Sequence, residues 1–361
     1  PYTTLFRSIL HYSIAAKIGY DGMNRDGKMR NGLFADNSYG KSKTANFLSG
    51  GAKFSGSIDL GHGSVISLGL GYEHKAPTAD VAFQAPEMNN DFVQNLKNER
   101  IFSSELAYQF SNSWLRANLS GYYSRIDNAT EWTCFYFDDI NSFSYNSLTG
   151  LNKEYYGAEL GLNFKLTSFL DLKALGTISE AKNISNAKVR YMNSTQGTYV
   201  DDIALVENMR ESGTPLTAGS LGLSFHQGGW YIDLNGNYYD RIYLSYSPYY
   251  RYQTPLKNQK SVDNEGNYIV SPQDKGKGGF MLDGTIGKSI RLKKGSLSIN
   301  LMVTNILNNQ KIVTGGYEQS RSDYSLKNDG STSDRCYRFS MNPKKYYIYG
   351  TNGMLQVAYR F

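Results

Sequence analysis

The last nine residues pose the physical problem that this chain has to solve. Leu355, Val357, Tyr359 and Phe361 share one face of an extended strand, Gln356, Ala358 and Arg360 share the other, and the chain stops on the aromatic. Period two marks a strand whose two faces meet different surroundings. The same alternation recurs along the chain, yet no stretch approaches the roughly 18 consecutive apolar residues of a membrane-crossing helix. A chain that crosses a bilayer without such a run must do so as a closed sheet, because hydrocarbon tolerates only structures that satisfy every backbone hydrogen bond internally. The mean hydropathy of −0.49 agrees with that solution, since every second strand residue then faces a wet lumen.

The alternating segments cover about 9 to 20, 47 to 60, 64 to 75, 100 to 110, 114 to 126, 152 to 166, 170 to 182, 216 to 227, 229 to 244, 278 to 291, 295 to 308 and 346 to 361. In the second and third, Leu48, Phe54, Ile58, Ile66, Leu68, Leu70 and Tyr72 fall on one face, with Lys53, Asp59 and Glu73 on the other. Later segments repeat the pattern, with Leu160, Leu162 and Phe164 set against Glu159 and Lys165, and Leu223, Ile232 and Leu234 against Asp233. These readings predict an all-β fold, a transmembrane antiparallel β-barrel with about twelve strands in this chain.

The connections sort by length. Tight turns such as Gly61-His62-Gly63, Ser111-Asn112-Ser113 and Gly228-Gly229 alternate with long connections at about 21 to 46, 76 to 99, 127 to 151, 183 to 215, 245 to 277 and 309 to 345. A barrel of the bacterial outer membrane has short periplasmic turns and long extracellular loops. A final strand ending in the periplasm then places every long connection outside the cell. Leu355, Val357, Tyr359 and Phe361 resemble the C-terminal assembly signal of such proteins, which implies the barrel-assembly machinery and outer-membrane lipid as partners.

Other classes find little support. The net charge of +6 is spread over the long connections without a basic tract, which argues against nucleic acid. Four scattered histidines and two cysteines offer no metal-ligand spacing and no paired nucleophile and base, so no catalytic residue, metal or cofactor is assigned. Residues 1 to 8 break the pattern and read as a non-native leader, which leaves 9 to 361 as barrel. Twelve strands either close on themselves or leave two edges for further strands to pair.

Three tracts carry a family resemblance. Ala76-Pro77, then Asn95-Leu96-Lys97-Asn98-Glu99 leading into Glu105-Leu106-Ala107-Tyr108, resembles a tract of the TonB-dependent receptors. Asn305-Ile306-Leu307-Asn308-Asn309 is similar to a second, and Tyr346 to Phe361 to the closing strand of receptors from the Bacteroidetes. Asn98 stands where the family usually has proline. The resemblance implies the C-terminal part of a 22-stranded barrel, with the plug domain absent, importing a ligand with energy from a TonB complex reached through the missing N-terminal region.

Candidate ligand contacts lie in the long connections. Trp132, Phe135 and Tyr136 adjoin Asp138 and Asp139, a set suited to stacking on a sugar ring or peptide side chain with carboxylates as acceptors; a loop folded on its own aromatic core is the competing reading. Tyr249, Tyr250 and Arg251 form a second cluster, for which membrane-interface tyrosines are the alternative. The basic residues Arg321, Arg335, Arg338, Lys344 and Lys345 suit an anionic ligand, lipopolysaccharide or plain solvation. Cys134 and Cys336 both fall in long connections, where a disulfide is permitted. The function these residues suggest is import of an unidentified small molecule, glycan or peptide. A passive channel or surface-binding barrel is the alternative, and a truncated product without function is a third reading.

Overall fold

The computed structural model describes residues 9–137, 141–258, 261–318 and 343–361. In chain order its strands are β1 (Leu10–Met23), β2 (Asp26–Gly27), β3 (Gly40–Lys41), β4 (Ala45–Gly61), β5 (Ser64–Lys75), β6 (Glu99–Ser111), β7 (Leu115–Phe137), β8 (Ser142–Lys165), β9 (Leu170–Asn183), β10 (Ala187–Asn193), β11 (Val200–Ala204), β12 (Pro215–Gln227), β13 (Trp230–Ile242), β14 (Gly279–Leu292), β15 (Gly295–Thr304), β16 (Val313–Tyr317), β17 (Lys344–Tyr347) and β18 (Asn352–Arg360). Twelve of them make one antiparallel path, β1-β4-β5-β6-β7-β8-β9-β12-β13-β14-β15-β18, in which each strand pairs with its sequence neighbour on that path. The path is open, because β1 and β18 are not paired with each other.

Register places the alternation where the sequence requires it. Ile14 lies opposite Phe54 and Phe54 opposite Leu70. Leu68 meets Leu106, Leu119 meets Leu160, Ile232 meets Ile286 and Leu301 meets Leu355. All of these side chains are exposed, so among the described residues no other part of the chain covers the apolar face of the sheet. The opposite face is polar, with Lys17 bridged to Glu73 at 2.6 Å, Ser13 to Ser55 at 2.8 Å and Asn237 to Asp283 at 2.8 Å.

Two aromatic belts bound the apolar face. Tyr72, Phe102, Tyr156, Tyr238 and Phe280 are exposed near the long-connection end. Near the short-turn end Trp114 stacks on Phe164, Phe169 meets Phe225 edge-on and Tyr359 meets Phe361 edge-on. From Phe102 to Phe110 along β6 is about 20 Å of bilayer normal at the usual barrel tilt, close to the band of about 25 Å expected for a membrane barrel.

The short turns are set by backbone chemistry. Gly61, His62 and Gly63 all have positive φ, and a Cβ on Gly63 would sit 1.9 Å from the Ser111 carbonyl oxygen. Only glycine fits there. At the next turn the Asn112 side chain accepts from the N–H groups of Trp114 and Leu115, at 2.9 and 2.7 Å.

Strand lengths depart from expectation in three places. The stretch 127 to 151, expected as a loop, carries β7 and β8 about ten residues past the rest of the sheet. Register shifts around Ala129, with Asn128 and Gly150 at positive φ, let the ladder bend and continue; the polar run there looks like turn chemistry but forms bulges. β15 stops at Thr304 instead of 308, because Asn305 turns to positive φ and its side chain donates to the Asn309 and Tyr349 carbonyls. The expected strand from 346 begins only at Asn352, while Lys344–Tyr347 pairs separately with β16.

Candidate functional site

At the long-connection end the extensions of β7 and β8 recruit β10 and β11 into a small sheet, the crown, with β8 pairing β10 and β10 pairing β11. Its two faces are covered by different connections. The first is capped by residues around 245 to 258, which place Tyr252 among Ala129, Leu148, Leu151, Ala187, Val189, Ala204 and Val206. The Tyr252 hydroxyl donates to Asn146 Oδ1 at 3.0 Å, and Leu205 N–H donates to the Arg251 carbonyl at 2.8 Å. The second face is capped by residues 84 to 91, with Ala85 and Met88 against Tyr145 and Met192. There the Trp132 indole donates to the Gln84 carbonyl at 2.9 Å, and Ser147 donates to Gln84 Oε1 at 2.6 Å.

The candidate ligand residues divide between these caps. Trp132 belongs to the second cluster with Cys134 beside it. Phe135 lies edge-on to Tyr249 at 6.2 Å, and Tyr249 also meets Tyr191, Tyr250 and Tyr252 edge-on at 5.8, 5.4 and 5.4 Å. The structure thus brings Phe135, Tyr249 and Tyr250 into one aromatic nest and sets Trp132 apart from it. Tyr136 is exposed near the hairpin tip, edge-on to Phe143 and donating to Asn141. Asp138 and Asp139 lie outside the described residues, as do Cys336, Arg321, Arg335 and Arg338.

Arg251 is wholly buried. It makes a two-pronged bond to Glu318, at 2.7 and 2.8 Å, donates to the Ser247 carbonyl at 3.0 Å and lies over the Tyr246 ring. Its charge therefore joins two long connections. Asp274, close by, is held above the usual carboxylate range by burial and then by the Glu318 charge. Burial pushes the Cys134 thiol up to about 11, with Glu87 adding to the effect, and raises Tyr252 well above its ordinary value. Of the basic candidates in the last connection, Lys344 sits beside the rings of Tyr317 and Tyr346, and Lys345 lies opposite Gly316 in the pairing of β16 with β17.

Below the crown is a cavity of about 250 Å³, lined by Glu131, Asn183, Glu211, Ser212, Ser245 and Tyr246 among others. Lys153 bridges the two carboxylates beside it, at 2.5 Å to Glu131 and 2.7 Å to Glu211. The Tyr155 hydroxyl donates to Glu211 at 3.1 Å and Asn183 donates to the Tyr246 hydroxyl at 2.9 Å. Nothing in the sequence pattern singles out Lys153 and Glu211. They lie far apart along the chain, and only the pairing of β8 with β9 and the return of the chain at 210 bring them together. Among the described residues, no cluster of three or more His, Cys, Asp or Glu forms a metal site.

Comparison with known proteins is consistent with this architecture. The family model for the β-barrel of TonB-dependent-receptor-like proteins matches residues 11–306. Among solved structures, the copper transporter OprC superposes with a TM-score of 0.59 at 14% identity, over 96% of this chain and 44% of that one. The FrpB iron transporter of Neisseria meningitidis gives 0.53 at 15% identity, over 96% and 42%. The ferric-catecholate import receptor Fiu of E. coli K12 gives 0.51 at 13% identity, over 97% and 42%. At these identities the likeness shows the fold alone. The chain spans less than half the length of these proteins, and no curated protein matches its sequence.

Proposed function

This chain belongs to the TonB-dependent receptor β-barrel family, and from that premise we propose that it supplies part of the wall and much of the ligand vestibule of an outer-membrane importer. Its single strongest support is the crown, a folded sheet built from long connections and standing on a lipid-belted strand array. A passive pore has no need of such a buried superstructure; a receptor that holds a ligand before admitting it does. In this reading further strands pair the open edges of β1 and β18, since an unpaired backbone group in hydrocarbon costs several kcal/mol. A plug fills the lumen, and a TonB complex drives release through a region outside this chain. Residues 1 to 8 play no part.

The crown faces the cell exterior and the short turns face the periplasm. Ligand capture falls to exposed Tyr136, to Asp138 and Asp139, to the rim of the Phe135–Tyr249–Tyr250 nest and to the cavity beside Lys153, while Trp132 and Arg251 shape the floor on which these stand. The ligand is a small molecule, glycan or peptide. Its passage requires binding and movement and no bond chemistry. Leu355, Val357, Tyr359 and Phe361 present the assembly signal, and a Cys134–Cys336 disulfide would pin the last connection to the crown.

Two measurements on the full-length protein test this. Single cysteines at Gly197 and Asn267 should react with a membrane-impermeant maleimide in intact cells, whereas cysteines at Asn112 and Gly228 should not; the reverse pattern would overturn the orientation. In a planar bilayer the protein should stay closed, as a plugged barrel does. A steady open-pore current would favour the passive channel.

A further inference from the structure

The polar face of the sheet changes character as it approaches the β18 edge. One register row crosses it through Asp171, Ser224, Asp233, Thr285, Met302 and Met354. The row begins on carboxylates and ends on two thioethers. Met302 and Met354 lie directly opposite each other in β15 and β18, and both are exposed, at 43% and 56%. Met281, on the same face of β14 but nearer the long connections, adds a third thioether to the last three strands of the path.

Packing within the chain does not account for the pair, because neither side chain is buried. The inward positions on either side are the ones a wet wall selects, with Asn300 opposite Gln356 toward the short turns and Thr304 opposite Asn352 toward the long connections. On the outward face of the same two strands the apolar choice is leucine, at Leu301 and Leu355. Methionine in the inward row therefore differs from its neighbours on both faces in the one thing it brings, a polarizable sulfur on a flexible stem.

Two side chains directly opposite on one face of an antiparallel pair have Cβ atoms about 5 Å apart, and the rotatable bonds of methionine let each sulfur turn toward the other. The result is a soft donor set without charge. It offers a hard divalent cation neither carboxylate nor carbonyl oxygen, and it matches a soft monovalent ion. Asp283, the carboxylate on the adjoining strand, is already engaged, accepting from Asn237 at 2.8 Å and from the Asn305 N–H at 2.7 Å.

We propose that Met302 and Met354 form a binding station for a soft monovalent cation of the Cu(I) class on the inner wall of the barrel, with the two thioether sulfurs as its protein ligands. Binding involves no change of oxidation state. The station follows from strand register and side-chain chemistry, and it shares no residue with the ligand vestibule. The import reading enters only in making this wall the side of a lumen.

The test uses the full-length protein in detergent micelles and chloride-free buffer, with Ag(I), which keeps one oxidation state, as the probe. Hydrogen peroxide is added with and without Ag(I), and sulfoxide at each methionine is read by peptide mass spectrometry. A thioether whose lone pair is held by the metal oxidises only in its unbound fraction, so Ag(I) at about ten times its dissociation constant should slow oxidation of Met302 and Met354 about tenfold. Met29, exposed in a long connection, should gain no protection, and Zn(II) should protect neither member of the pair. The decisive arm is Met354→Leu, a swap that conserves volume, which should cost Met302 most of its protection. Met302→Leu should do the same to Met354, and supplies the reading if the first variant assembles poorly. Absence of protection, or protection of one methionine that survives loss of the other, would overturn the station. So would a pair already inert to peroxide before Ag(I) is added, the mark of an apolar occupant of the lumen packed against it. The readout is binding by the solubilised protein, so failure here leaves the import reading standing, and failure of import leaves this result standing.

Discussion

The membrane sheet and the crown are continuous through β7 and β8, yet they follow different rules. Below the level of Ile126 in β7, each strand has one face that no other described residue covers, and Leu119, Leu160, Leu221 and Leu234 stand exposed on it. Above it both faces are covered, by two different connections, and Tyr145, Asn146, Ser147 and Leu148 are buried in succession. In the first region an uncovered apolar face set against a polar one imposes period two on the sequence. In the second, packing selects each residue for its own neighbour, so alternation disappears while the ladder carries on.

The sharpest way to break this division is to unpair the ion pair that ties the crown's connections together. Glu318→Ala leaves the buried Arg251 guanidinium without its partner, a change that typically costs about 3–5 kcal/mol. The loss should appear as faster hydrogen exchange and proteolysis at 245 to 258, with β4, β5 and β6 unchanged. The double variant Arg251→Met/Glu318→Leu should recover much of it. Equal loosening of crown and membrane sheet would show that the two regions open as one unit.

Leucine truncation compares the regions directly. Leu151→Ala opens a cavity in the fully buried cluster around Tyr252 and should cost the crown about 2–5 kcal/mol. Leu160→Ala, nine residues on in the same strand, faces outward, where a lipid chain takes up the vacated space, and should leave crown protection untouched. Local hydrogen exchange in the assembled protein reads both. A crown loosened by Leu160→Ala would mean that strand β8 transmits strain across the boundary.

The same contrast explains what is legible in the sequence. The twelve-strand path and the turn positions follow from alternation and from turn residues such as Gly61-His62-Gly63, because the contrast between the two faces and backbone geometry act on each segment locally. The crown is not legible. Asp127-Asn128 and Thr149-Gly150 have the chemistry of turns, and only the partner strand decides that they form bulges. Trp132, Phe135 and Tyr249 stand out as aromatic clusters, but their division between two caps depends on which connection lies over which face. Arg251 reads as a ligand contact because the sequence does not show that Glu318, far along the chain, meets it.

Two smaller changes refine the comparison. Tyr252→Phe removes the hydroxyl that donates to Asn146 and leaves an acceptor short of a partner, for about 1–2 kcal/mol of crown stability; on the outward side of the sheet, by contrast, Tyr238→Phe should cost almost nothing. The smallest effect has the opposite sign. Asp274 is shifted upward by burial beside Glu318, and one of its carboxylate oxygens is buried without a hydrogen-bond partner among the described residues. A carboxyl whose folded pKa lies above its unfolded value stabilises when protonated, so its contribution is full below the unfolded pKa and is lost as the pH rises through the folded one. At neutral pH the ionised group is then a small burden, and Asp274→Asn should stabilise the crown by less than about 1 kcal/mol. The gain should shrink as the pH falls toward the carboxylate range, because the wild-type group then protonates as well. Protection of 270 to 277 measured across that range tests the sign: a variant less stable than wild type at neutral pH would show that the Asp274 charge is compensated after all, and that the crown tolerates buried charge better than its Arg251–Glu318 pair suggests.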